Sequence, residues 1–127
     1  MVKYKEAVML DGTRITHGKP RRLEGMSEEI QLTITIWDAI NQEEGFEEIT
    51  VTALADGVHT AKNSKHYGIY RVNAGKVGWW IDAVDLRTRY LSSNQKMSCA
   101  DILKKRLGKD FDVVVHDSHI HVEYDPK

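Results

Sequence analysis

Two short runs near the end of the chain decide the fold: Phe111-Asp112-Val113-Val114-Val115 and His119-Ile120-His121-Val122-Glu123-Tyr124. The first is a β-branched, buried-looking strand. The second alternates polar and apolar residues, the pattern of a strand with one covered face. Asp117-Ser118 between them reads as a turn. In a strand, alternate side chains share a face. Ile120 and Val122 therefore face a core, while His119, His121 and Glu123 point together to the other side.

Upstream, Ser27 is a helix N-cap, and Glu28 and Glu29 suit the positive end of the helix dipole. Ile30, Ile34, Trp37 and Ile40 follow at helical spacing, which predicts an amphipathic helix over 27–43, stopped by Gly45. The β-branched run Thr33 to Ile36 weakens its intrinsic preference. Ile49 to Leu54 alternates like a strand, and Trp79 to Leu86 reads as a second. Ser98 with Asp101 forms a capping box that predicts a helix start, with Gly108 as its stop. Residues 1–22 read as an N-terminal arm, with a short strand near Ala7–Leu10. The order of elements predicts one α+β domain over 1–127, a mainly antiparallel sheet with helices packed on one face.

A chain of 127 residues is one domain's length, and 41% hydrophobic with 29% charged residues describes a globular composition. The net charge of −1 argues against sequence-independent nucleic-acid binding. No apolar run reaches the roughly 20 residues of a membrane span. The N-terminus lacks the pattern of a signal peptide, so the expected place of synthesis is the cytoplasm. The single cysteine, Cys99, excludes an internal disulfide and reads as a packing residue.

Histidine is over-used: six, of which five lie between His59 and His121. His59, Ser64 and His66 fall in a polar loop that begins at Asp56-Gly57. Asp82 and Asp85 sit in an apolar strand, where a carboxylate must be paired or bound to a cation. Two histidines and an aspartate with one open position form a catalytic zinc pattern. Asp85 can equally pair with Arg87 or Arg89, and His17 and His116 need only a surface.

Three blocks in order, Ser64-Lys65-His66-Tyr67-Gly68, Ala83-Val84-Asp85-Leu86-Arg87-Thr88 and His119 to Tyr124, resemble the zinc D-alanyl-D-alanine carboxypeptidase and L-alanyl-D-glutamate endopeptidase family. Small phage-encoded members are most similar, and the Hedgehog signalling domain shares the fold. The resemblance covers roughly residues 23–127. It implies a Hedgehog/DD-peptidase-like fold and Zn2+ held by His66, Asp85 and His121. It also implies hydrolysis of peptidoglycan stem peptides, as a carboxypeptidase or an endolysin-type endopeptidase. A phage-encoded protein of this kind reaches the cell wall by a separate release route. His119 is then the oxyanion-stabilising residue, and Asp56, His59, Ser64, Arg87 and His116 line the cleft. Two other readings stay open: a non-catalytic zinc-containing binding module of the same fold, and a phage tail-associated protein that opens the wall.

Two departures from the family pattern stand out. His66 and Asp85 are nineteen apart, against seven in the family. The extra residues, 69–80, read as a β-hairpin insertion centred on Asn73-Ala74-Gly75. Its Arg71, Lys76, Trp79 and Trp80 can form a cleft wall, or the tryptophans can pack into the core. Asp82 is the fallback ligand. Relatives carry glutamate three residues before the H-x-H; here that position is His116. Strand parity selects the neighbouring Asp117 as catalytic base.

Overall fold

The structure, a computed structural model, describes residues 2–4, 12–16, 19–53 and 68–126. Its elements are β1 (Val2–Tyr4), β2 (Gly12–Thr16), β3 (Lys19–Leu23), β4 (Gly25–Met26), α1 (Glu28–Glu43), β5 (Ile49–Ala53), β6 (Ile69–Asn73), β7 (Lys76–Ile81), β8 (Ala83–Arg87), α2 (Ser93–Leu107), β9 (Phe111–Val115) and β10 (His119–Tyr124). The main sheet has the order β1-β5-β8-β10-β9. A three-stranded sheet, β4-β7-β6, and the β2–β3 pair complete the strands described.

The α+β class holds, but the sheets are mixed. β1 runs parallel to β5 and β4 parallel to β7; the other pairings are antiparallel. Both parallel pairs join a strand before α1 to one after it. A helical crossover of this kind returns the chain in the same direction. The expected arm at 1–22 thus contributes β1 to the main sheet edge and β2–β3 as a hairpin. Residues 7–10, where a strand was expected, lie outside the described residues.

The predicted core is present. Ile30, Trp37 and Ile40 of α1, Leu103 of α2, Val51, Val84, Leu86, Ile120 and Val122 are all fully buried in one cluster. The register pairs Ile120 with Leu86 and Val122 with Val84, so one face of the sheet meets both helices. Each such aliphatic side chain stabilises the fold by about 1.5–3 kcal/mol. Neither helix is long and apolar enough to cross a membrane.

α1 begins where expected: the Ile30 N–H donates to the Ser27 side-chain oxygen. Two of its threonines satisfy their hydroxyls inside the helix by back-bonding, Thr33 Oγ1 to the Glu29 carbonyl at 2.9 Å and Thr35 Oγ1 to that of Gln31 at 3.0 Å. Buried Asn41 accepts from the Tyr90 hydroxyl at 2.6 Å. Burial pushes that hydroxyl up to about 12, so it stays a donor.

α2 starts earlier than expected. Its N-cap is Ser92, with a reciprocal box to Gln95 at 3.1 and 2.9 Å; Ser98 and Asp101 are exposed inside the helix. Ser-x-x-Gln satisfies the same two backbone donors as Ser-x-x-acid. The earlier start brings a full turn before buried Cys99 and Ala100. Cys99 packs in the core, its thiol pushed up by burial.

The single strand expected over 79–86 is two strands, broken at Asp82. Buried Asp82 leaves the ladder and accepts two hydrogen bonds from Arg71, Nε to Oδ2 and Nη2 to Oδ1, both 2.8 Å. Arg71 also contacts Glu29 and stacks its guanidinium 5.1 Å from the Tyr124 ring centre. The 69–80 segment is a hairpin, as its sequence predicts. Ala74 (φ 51°) and Gly75 (φ 77°) form a two-residue left-handed turn, with Val72 opposite Val77. It is woven into the domain. Asn73 Oδ1 accepts from Glu28 N–H at 3.1 Å, Ser27 N–H donates to the Ile81 carbonyl, Trp80 is buried, and Trp79 packs against the core.

Candidate metal site

β8 and β10 place the expected residues together on the face away from the helices. His121 is opposite Asp85, His119 opposite Arg87, and Glu123 opposite Ala83. The alternation that buries Ile120 and Val122 forces this arrangement. His121 Nδ1 lies 2.8 Å from Asp85 Oδ1, and His121 Nε2 lies 2.8 Å from Glu123 Oε1. The imidazole is thus bracketed by two carboxylates. The hydrogen bond to Asp85 raises its pKa above the usual histidine value, against a lowering by burial, and Glu123 adds to the rise. With both ring nitrogens protonated, each carboxylate accepts an N–H.

His119 stands beside them. Its Nε2 is 3.9 Å from Asp85 Oδ2, and its Nδ1 is 3.3 Å from Ser118 Oγ. Its ring lies 4.7 Å from that of exposed His116. Arg87, half-buried, shares the face. The Thr52 hydroxyl donates to the Asp85 carbonyl at 3.4 Å, across the irregular β5–β8 pairing.

Asp117 lies in the turn before β10 and is exposed. Strand parity begins only at His119, so it does not extend to Asp117. Lys96 Nζ donates to the carbonyls of His116 and Asp117, each at 3.3 Å, and ties the turn to α2. Asp56, His59, Ser64, His66 and His17 lie outside the described residues. Among the described residues, no group of three or more His, Cys, Asp or Glu side chains is arranged to hold a metal ion. Asp85 and His121 supply the carboxylate oxygen and imidazole nitrogen that zinc accepts. Asp82, the fallback ligand, has its carboxylate bound to Arg71 instead.

Two relationships escape the sequence reading. One is the Arg71–Asp82 pair, eleven residues apart, which takes Arg71 off the expected cleft wall. The other is the contact of Glu123 with His121 Nε2, which a shared strand face allows but does not require. Glu123 also lines an open cleft of about 730 Å³ with Asp112, Val114, Lys104, Lys105 and Lys109, along the edge strand β9. Comparison of the chain with known protein families, curated proteins and solved structures returns no match.

Proposed function

We propose that the chain is a zinc peptidase domain of Hedgehog/DD-peptidase-like fold that hydrolyses peptide bonds in peptidoglycan stem peptides. The observation that carries this reading is the Asp85–His121 contact of 2.8 Å between residues 36 apart in sequence. It joins the second and third sequence blocks through the two residues that the resemblance makes metal ligands. His66, Asp85 and His121 would hold the zinc, leaving one coordination position for water or substrate. The chemistry such an ion would supply is a lowered pKa for a water and polarisation of the scissile carbonyl.

The remaining steps belong to the protein's own side chains. Asp117, the carboxylate in the turn just before His119, would take the proton of the attacking water and pass it to the leaving amine. His119 donates to the developing oxyanion, with Ser118 beside its Nδ1. Lys104, Lys105 and Lys109 on the neighbouring cleft suit the carboxylates of a stem peptide.

A specific observation favours a second reading. The position that carries glutamate in the resembled family is His116, and Asp117 sits in an exposed turn. A domain that binds zinc and ligand without turnover accommodates both. One experiment separates the readings: metal analysis of protein purified without chelator, followed by incubation with muropeptides. One zinc per chain with product release supports the peptidase. One zinc without cleavage of any stem peptide selects the binding module. A folded protein that takes up no divalent metal on titration overturns both.

A further inference from the structure

β9 is the last strand of the main sheet, and among the described residues no strand lies beyond it. Its register with β10 fixes which backbone groups are left over. His116 N–H donates to the His119 carbonyl at 2.8 Å, and Asp125 N–H donates to that of Asp110 at 2.7 Å. Bonds in an antiparallel pair recur at every second residue, so Asp112 and Val114 also turn their backbone groups toward β10. Phe111, Val113 and Val115 turn theirs the other way. The Phe111 N–H is taken by the Gly108 carbonyl at 3.4 Å. The N–H and C=O of Val113 and Val115, and the C=O of Phe111, therefore point out from the sheet edge. We propose that this edge takes an extended, acidic peptide segment of a partner protein as an added strand. The assignment does not rest on the zinc reading.

Charge identifies the occupant. Exposed Lys104, Lys105 and Lys109 line the cleft of about 730 Å³ that runs along β9. Among the described residues, none of the three is held in an ion pair. The dipole of α2 favours Lys104 and Lys105 in its last turn, but not Lys109, which lies past the Gly108 cap and lines the same cleft. An added strand gains affinity from main-chain hydrogen bonds and specificity from its alternate side chains. Phe111, Val113 and Val115 pack toward the helices, whereas Asp112 and exposed Val114 lie on the other face. Side chains of the added strand would alternate to match, with carboxylates on the helix side toward the lysines and apolar residues beside Val114. A carboxylate on that second face would meet Asp112, so both faces favour the same alternation. A second copy of the chain fits less well. Antiparallel β9–β9 pairing about a two-fold axis sets both α2 helices on one side of the sheet and brings both sets of lysines to one seam.

The probe is a capped Glu-Val-Glu-Val-Glu peptide, which alternates identically in either direction, with Lys-Val-Lys-Val-Lys as its control. Binding to the full chain is followed by amide NMR and hydrogen exchange, with sedimentation to record the oligomeric state. The acidic peptide should protect the Val113 and Val115 N–H groups, while that of Val114, already directed at β10, changes least. The basic peptide should bind at least about tenfold more weakly. Lys105→Gln combined with Lys109→Gln should weaken the acidic peptide about 2–30-fold, the effect of losing two exposed charge pairs. Val113→Pro removes an edge donor without removing a ladder bond, so the domain should fold and binding should be lost. Three results overturn the proposal: lysine signals that shift without protection of Val113 and Val115, which is charge attraction alone; equal binding of the basic peptide; and Val113 and Val115 already protected in a dimer without peptide. Failure of the acidic peptide to bind also overturns it, and the lysines then serve only to keep the edge from pairing. The wild-type exchange data decide even if Val113→Pro does not fold.

Discussion

Asp82 and Asp85 stand three residues apart, yet they serve different regions of the molecule. Asp82 sits at the break between β7 and β8, almost fully buried, with both carboxylate oxygens bound by Arg71. Around that pair, Glu29 and Asn73 join the hairpin to the start of α1. Asp85 lies on the outward face of β8, one-fifth exposed, against His121. The first is a structural knot, its charge neutralised by a permanent cation. The second faces the imidazole of His121, whose pKa the contact raises. A buried carboxylate is thus no signal of metal binding by itself; the identity of its partner decides.

Substitution should separate the two regions. Asp82→Ala leaves Arg71 without its two-point partner and should cost about 3–5 kcal/mol in urea denaturation, with zinc uptake by the folded fraction unchanged. Asp85→Ala should do the reverse, changing stability by about 1 kcal/mol while weakening zinc binding beyond the roughly 100-fold of an outer-shell change. The opposite pattern would make Asp82 the ligand and erase the distinction.

At the proposed zinc site, Asp117→Ala should keep zinc and lower muropeptide hydrolysis by about 10²–10⁴-fold, and His116→Ala should alter it far less. An active Asp117→Ala with an inactive His116→Ala would move the base to the histidine. Within the knot, Asn73→Ala removes the acceptor for Glu28 N–H and should lower the melting free energy by about 1 kcal/mol. The smallest effect is expected at the hairpin tip. Ala74 holds a positive φ that glycine adopts without strain, so Ala74→Gly should raise stability by about 0.5 kcal/mol in the same assay.

Local rules made much of this chain legible. The α1 cap, the Ala74-Gly75 turn, β9, β10 and the Gly108 stop each follow from a few adjacent residues. The start of α2 did not, because Ser92-x-x-Gln95 and Ser98-x-x-Asp101 are competing boxes and only packing chooses between them. The break at Asp82 was hidden in an unbroken apolar run, since its cause is Arg71 on another strand. Alternation does not reach Asp117, because the strand begins two residues later.

The sequence by itself determined that His119, His121 and Glu123 share one face of a strand and that Ile120 and Val122 share the other. Alternation is a property of the extended backbone and needs no partner. Tertiary structure alone decided that Asp85, and not Asp82, meets His121. Register between β8 and β10 is set by burying Val84 and Leu86 against Val122 and Ile120, and that burial involves residues far apart in the chain.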